Sequence, residues 1–465
     1  MALIKSISGF RGTIGGQAGT NLTPQDIVEC TAAYGRWLLD RGNAPKVIIG
    51  RDARISGEIV SQLVASTLRS LGIAVVDLGL STTPTVEVAV PEEQAGGGII
   101  LTASHNPKQW NALKLLNEKG EFISAQDGRE ILDLVAEGEI EYASVDKLGS
   151  YQQIDDYIDR HIAKILTLPL VNAERVKAKQ FKVVVDCVNS TGAISVKPLL
   201  EALGCKVTLL NEEMTGHFAH NPEPLPENLR ELSKAVIADK ADLGIAVDPD
   251  VDRLALVCED GEMFGEEYTL VAVADYILQH TKGSTVSNLS STRALREVTE
   301  KYGCTYAASA VGEVNVVNQM KAVNAVIGGE GNGGIIYPEL HYGRDALVGI
   351  ALLLTYLADF GQPISFLKRT YPSYVISKNK IQLTPELDVD YLLKKLQTKY
   401  SHEEINTIDG LKINLESGWI HLRKSNTEPI IRIYSESSSE VTANHLADKI
   451  RGDINEILKN IETTA

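Results

Sequence analysis

Cysteine is scarce in this chain of 465 residues: there are five, at Cys30, Cys187, Cys205, Cys258 and Cys304, an odd number, widely spaced and without a CxxC. That pattern excludes a disulfide framework and a thiolate zinc site. Positive charge is also in deficit, 45 Lys and Arg standing against 61 Asp and Glu for a net charge of -16. A general nucleic-acid binder depends on neutralising phosphates and is excluded on that count, so any bound anion must meet a local basic patch. Long apolar runs are missing too. The longest, ALVGIALLLTYLA from Ala346 to Ala358, lies between Asp345 and Asp359 and falls short of the roughly 20 helical residues that span a bilayer. It reads as a buried helix. The opening MALIKSISGF has no signal-peptide apolar core, and the expectation is a cytoplasmic protein with neither membrane nor nucleic acid as partner.

What the chain does have is apolar residues for globular cores, 44% of the total, and length for three or four domains. A strand, helix, Gly, strand pattern occurs three times. KVIIGRD (46–52) leads to LRSLGIAVVDLG (68–79), KVVVDCV (182–188) to LEALGCKVTLLN (200–211), and STVSNLS (284–290) to VTEKYGCTYAAS (298–309). Each helix ends at a Gly suited to the left-handed position that closes helices, and a β-branched strand follows. Such units build mixed, mostly parallel sheets covered by helices. The last hundred residues differ, GWIHLRKSNTEPIIRIYSES (418–437) reading as two strands around a polar loop before a terminal helix from about Val441 to Ile461. The expected fold is therefore three similar α/β domains and a C-terminal α+β domain, with boundaries 1–155, 156–257, 258–370 and 371–465.

Four loops carry chemistry. In GGGIILTASHNPKQWNALKLL (96–116) a buried strand runs into Ser104 and His105 before Asn106-Pro107 ends it, since proline cannot continue a ladder. In ADLGIAVDPDVDRLALV (241–257), Asp248, Asp250 and Asp252 alternate between two apolar strands, and three crowded carboxylates call for a hard divalent cation. An EF-hand is the rival reading, with Glu259 at its twelfth position, but Arg253 stands where that loop requires glycine and a strand follows. RKSNTEPIIR (423–432) gathers Arg423, Lys424, Ser425, Asn426, Thr427 and Arg432, donors suited to a phosphate dianion; a solvated hairpin tip is the alternative. VIGGEGNGGIIYPELHYGRDAL (326–347) places Glu330 and Asn332 among glycines, which let a ligand approach the backbone while a carboxylate and an amide read hydroxyls.

Together and in this order, from GFRGTIGG at Gly9 to Arg432, these loops resemble the α-D-phosphohexomutase family of phosphoglucomutases, phosphomannomutases and phosphoglucosamine mutases. The resemblance implies a phosphohexomutase that interconverts hexose 6-phosphate and hexose 1-phosphate through a phosphoserine. By it, Ser104 carries the phosphoryl group and, with Asp248, Asp250 and Asp252, holds Mg²⁺. It also sets the four domains around one central cleft and makes Lys114 the candidate general acid/base, with Arg11 and Arg253 stabilising charge on the phosphoryl group and His105 supporting the Ser104 loop. Val311, Gly312, Glu330 and Asn332 contact the sugar, and Arg423, Ser425, Asn426, Thr427 and Arg432 clamp the other phosphate. It further implies a hexose 1,6-bisphosphate activator, a small-molecule hexose phosphate as partner, and a monomer or homodimer.

The sugar loop departs from the Gly-Glu-x-Ser-Gly of many glucose and mannose mutases. Its Gly329-Glu330-Gly331-Asn332-Gly333-Gly334 resembles archaeal-type phosphoglucosamine mutases, while DPDVDR lacks the Asp-Gly-Asp-Gly-Asp loop of the usual bacterial ones. Gly334 stands where some relatives carry a basic residue, and His341 and Arg344 are the nearest candidates to supply it. Phosphoglucosamine mutase is the leading expectation, with phosphoglucomutase/phosphomannomutase and then a phosphosugar phosphatase as alternatives.

Overall fold

The computed structural model describes residues 3–6, 9–382, 389–424 and 430–462. Four sheets follow one another along the chain. The three repeats form as strand, helix and parallel strand: Lys46–Arg51, Gly57–Ser70 and Ala74–Leu80; Lys182–Asp186, Gly192–Ala202 and Lys206–Leu210; Thr285–Asn288, Ala294–Lys301 and Tyr306–Ser309. Their helices close identically. Gly72, Gly204 and Gly303 all adopt positive φ, and the next residue returns its N–H to a carbonyl of the last turn: Ile73 to Leu68, Cys205 to Leu200, Cys304 to Thr299. That turn satisfies end carbonyls at a conformation costly for any residue with a Cβ.

The first sheet is mixed in equal measure. Gly97–Leu101, Lys46–Arg51, Ala74–Leu80 and Tyr151–Gln153 run parallel, whereas Trp110–Leu116, Gly9–Thr13 and Leu3–Ser6 extend it as an antiparallel ribbon. The "mostly parallel" expectation thus holds for the second and third sheets and not here, because the chain turns back directly after the Ser104 loop instead of crossing over a helix. The fourth sheet is antiparallel, in the order Val375–Gln382, Ile430–Ser437, Gly418–Lys424, Leu411–Leu415, Glu404–Asn406, and is covered by helices Val389–Lys399 and Glu440–Glu462.

The second and third units share one apolar core. At its centre is the helix Ala346–Phe360, buried continuously from Ala346 to Ala358 and capped by Asp345, which accepts from the N–H groups of Leu347 and Val348. It packs on helices of both units, which is why it is apolar all round. The boundary expected at 257 accordingly falls inside the strand Leu254–Cys258, whose buried side chains belong to that shared core. Among the described residues no helix is long and apolar enough to cross a membrane.

Candidate active site

The Ser104 loop leaves the sheet at Leu101, and Ser104 is held at φ +48°, a left-handed conformation that a residue with a side chain enters at a cost of about 1–2 kcal/mol. Its N–H donates to Thr102 Oγ1 (2.9 Å) and its hydroxyl to Asp248 Oδ2 (2.6 Å). Ser104 is only 3% exposed. His105 Nδ1 lies 3.3 Å from the same hydroxyl. Burial, with Arg253 and Arg11 nearby, pushes this imidazole far below its ordinary value, so it is neutral at physiological pH. Arg11 donates to Asn106 Oδ1 (3.0 Å), and burial lowers its guanidinium's pKa against the pull of Asp250.

The acidic loop joins the antiparallel strands Leu243–Val247 and Leu254–Cys258. Val251 takes φ +61°, an outlier for a β-branched residue, and the carboxylates of Asp248, Asp250 and Asp252 converge so that one oxygen of each lies within 4.8 Å of the others. All three are fully buried. Burial and the other two acids push Asp248 well above the carboxylate range. Asp252 escapes that effect because Arg344, Lys114 and Arg253 outweigh burial and hold it low. Domain-one donors complete the cluster: Thr83 Oγ1 donates to Asp250 Oδ2 (2.5 Å), and Lys114 Nζ lies 2.7 Å from Asp250 Oδ2 and 3.3 Å from Asp252 Oδ2. Asp250 Oδ1 and Asp252 Oδ1 are buried with no hydrogen-bond partner among the described residues. Buried carboxylate oxygens without a donor, in a cluster of three acids, fit a hard divalent cation.

Lys114 is a buried strand residue, not a surface lysine. Burial works against its charge, yet Asp250 and Asp252 raise it to about 12, so it is protonated at neutral pH. Arg253 Nε stands 4.0 Å from Asp248 Oδ2 and 3.9 Å from Asp252 Oδ1, within ion-pair reach of both but, among the described residues, without a hydrogen bond.

The sugar loop is tied to this cluster. Gly333 sits at φ +89° with the place of a Cβ only 2.4 Å from the carbonyl oxygen of Leu254, whose N–H donates to Gly333 O. Glu330 Oε1 accepts from Asn288 Nδ2 (2.8 Å) and the Gly312 N–H (3.1 Å). Its Oε2 accepts from Arg344 Nη1 (3.0 Å), while Arg344 Nη2 reaches Asp252 Oδ2 (2.7 Å) and Nε reaches Glu313 Oε2 (2.9 Å). Of the two basic candidates, Arg344 therefore joins the site, whereas His341 turns to Asp345 and Glu87. Asn332 spends its Oδ1 on the Gly334 N–H (3.2 Å).

Asp409 links the third and fourth domains: its Oδ2 accepts from the Val311 N–H (3.0 Å) and lies 3.4 Å from Arg423 Nη1. Arg423 and Arg432 are direct cross-strand partners, and Lys380 is opposite Arg432 on its other side. Cations in a row across one sheet face repel unless an anion lies over them. Ser425, Asn426 and Thr427 lie outside the described residues. Sequence reasoning passed over Thr83, Asn288, Glu313, Lys380 and Asp409, for which no local motif exists. It also passed over Asp52 and Arg54, which a charged pair straight after an apolar strand signals.

Comparison with known proteins gives matches along the whole chain. The models for phosphoglucomutase/phosphomannomutase domains I, II, III and the C-terminal domain match residues 4–141, 155–261, 265–374 and 380–452. A "Probable phosphoglucosamine mutase" of Methanopyrus kandleri is 33% identical over 95% of both chains. A "Phosphoglucomutase/phosphomannomutase" of Thermococcus kodakarensis is 34% identical over 93% of this chain and 95% of the relative. Among solved structures, a phosphoglucomutase/phosphomannomutase family protein from Burkholderia thailandensis superposes with a TM-score of 0.82 at 26% identity, covering 96% of each chain.

Proposed function

The chain belongs to the phosphoglucomutase/phosphomannomutase family, and from that premise we propose that it is a cytoplasmic phosphohexomutase whose preferred substrate is glucosamine phosphate, glucose and mannose phosphates being the alternative. The observation that carries the reaction type is the Ser104 hydroxyl, 3% exposed and 2.6 Å from a carboxylate of the orphaned acidic cluster. A hydroxyl so placed is a poor nucleophile alone, but as a phosphoserine beside a divalent ion it is a primed donor.

In this reading phospho-Ser104 gives its phosphoryl group to the free hydroxyl of a hexose monophosphate. The bisphosphate turns over in the cleft, and its other phosphate returns to Ser104. Phosphoryl transfer demands positioning and charge neutralisation more than covalent help. Lys114 holds the proton that Ser104 Oγ takes as the phosphoryl leaves, and receives one from the attacking hydroxyl. Arg253, whose Nε makes no hydrogen bond among the described residues, and Arg11 neutralise the transferring group. Neutral His105 orients the Ser104 side chain. Asp248, Asp250 and Asp252 are assigned to Mg²⁺, which when bound would offset phosphoryl charge during transfer. Arg423, Arg432 and Lys380 receive the phosphate that is not reacting, with Ser425 to Thr427 assigned to the same clamp. Glu330, Asn332, Val311 and Gly312 face the sugar. A hexose 1,6-bisphosphate would load Ser104, and the protein would act as a monomer or homodimer. The glucosamine preference is supported by Gly329–Gly334, where Asn332 replaces serine.

Phosphorus NMR tests this directly. With Mg²⁺ and a bisphosphate, glucosamine 6-phosphate should pass to its 1-phosphate faster than glucose or mannose phosphates turn over. A reversed ranking would remove the sugar assignment, and inorganic phosphate as sole product would remove the mutase.

A further inference from the structure

Arg54 is 1% exposed, and all its N–H groups point at one loop and one acid. Nε donates to Asp52 Oδ2 (3.0 Å). Nη1 donates to the carbonyls of Pro107 and Trp110 (both 2.9 Å), and Nη2 to those of Asn106 (2.8 Å) and Ser104. Five donors in a fixed fork are thus matched to five acceptors. Asp52 Oδ2 also accepts from Thr102 Oγ1 (2.7 Å), the hydroxyl that in turn takes the Ser104 N–H (2.9 Å). The N–H and the carbonyl of Ser104 are therefore fixed through the same ion pair, one by way of Thr102 and the other by Arg54 itself.

Domain two closes over this unit. Phe218 lies across the guanidinium at 5.1 Å, and Gly216 approaches so nearly that a Cβ would sit 2.2 Å from the Ala53 carbonyl oxygen. The Ala53 N–H donates to Ser190 Oγ (3.3 Å), which donates to the Pro249 carbonyl (2.7 Å) inside the acidic loop. Arg54 and its neighbour thus meet both loops that must hold a phosphoryl group in line.

We propose that Arg54, anchored by Asp52, is a positioning residue that locks Ser104 in its left-handed conformation over the acidic loop and so sets how much phosphoryl goes to sugar and how much to water. The inference rests on the mutase reading above. Transfer to sugar requires the donor phosphorus within a narrow geometry of the acceptor hydroxyl, whereas water meets it from many directions. In the side reaction a water oxygen bonds to phosphorus, the bond from phosphorus to Ser104 Oγ breaks, inorganic phosphate leaves and a proton returns to Oγ. Lysine cannot replace the arginine, because an ammonium has three donors at a point where the guanidinium spreads five.

The test compares wild type with Arg54→Lys and Thr102→Val, each loaded at Ser104 from a radiolabelled hexose 1,6-bisphosphate, with kcat, KM, inorganic phosphate per turnover and melting temperature measured. We expect kcat to fall on the order of 100-fold in Arg54→Lys while KM changes little, and phosphate released per turnover to rise about tenfold or more; Thr102→Val should move both in the same direction by less. A phosphate-to-turnover ratio equal to wild type in both variants overturns the proposal, even if kcat falls, because general destabilisation lowers turnover without redirecting it. If Arg54→Lys does not fold, Thr102→Val decides alone. Should wild type transfer to no hexose phosphate, the mutase reading fails by itself. The clamp is then judged by the loss of labelled phosphoserine to water, which both variants must accelerate.

Discussion

Lys114→Met removes the ammonium wedged between Asp250 and Asp252, and its consequences can be worked out with opposite signs for stability and metal affinity. The pair is buried on both sides, at 2.7 Å and 3.3 Å. Breaking a buried pair by deleting one partner costs about 3–5 kcal/mol, because the remaining carboxylates are left uncompensated. At about 2–4 °C per kcal/mol for domains of this size, the melting temperature in EDTA should drop by roughly 6 °C or more. A divalent cation at the triad would then regain that loss. Two charges about 4 Å apart interact by about 4 kcal/mol at an effective dielectric of 20, so removing a resident cation should tighten Mg²⁺ binding by up to about a thousandfold while the same substitution lowers kcat by about 100- to 10,000-fold. Lys114→Arg separates the two effects, keeping charge and stability while losing proton transfer, since guanidinium does not deprotonate. Thermal melts against Mg²⁺ concentration, together with coupled turnover assays, read all three quantities. If Lys114→Met turns over within about threefold of wild type, or melts with the same Mg²⁺ dependence, the lysine does not share the site of the metal and the reasoning fails.

Ser104→Ala should abolish mutase turnover with the melting profile retained, checked by phosphorus NMR and calorimetry; residual wild-type turnover contradicts the phosphoserine route. Arg423→Ala and Lys380→Ala should raise KM for all hexose phosphates alike, whereas Asn332→Ser should change their ranking, and a uniform effect of Asn332→Ser on every sugar would remove it from recognition. Lys412 provides a pH signature away from the catalytic centre. Burial, only partly opposed by Glu436, pulls it from 10.5 down to about 8, so the unfolded chain holds this proton more tightly. The cost is complete below pH 8 and fades between about 8 and 10.5, where stability should rise with pH by up to about 3 kcal/mol relative to Lys412→Met. Denaturant melts showing a constant difference across that window would refute it.

Much of this protein is written locally. The three repeats with Gly72, Gly204 and Gly303 were legible because strand alternation and a helix-ending glycine are short-range signals, and the pairing of Gly9–Thr13 with Trp110–Leu116 was not, because strands a hundred residues apart leave no local mark. The Ser104 loop and Asp248, Asp250 and Asp252 announce themselves as residue types at fixed spacing after apolar strands. Arg344 was one of two candidates the sequence could not rank. Only the fold shows it reaching Asp252, Glu330 and Glu313 at once while His341 faces Glu87 and Asp345.

The sequence by itself determined the chemistry available: a hydroxyl on a strand-end loop, three alternating carboxylates, a glycine-lined acid and amide, and a basic hairpin, each set by residues within a few positions of one another. The tertiary structure decided their relation. It set Ser104 against Asp248, Lys114 against Asp250, Asp409 between Val311 and Arg423, and Arg54 under the Ser104 loop. These pairs join different domains or sequence-distant segments, and the distances between them depend on how separate sheets pack, which no local pattern encodes. Burial did the rest, since the same carboxylates and lysine in water would neither orphan their oxygens nor hold their protons as they do here.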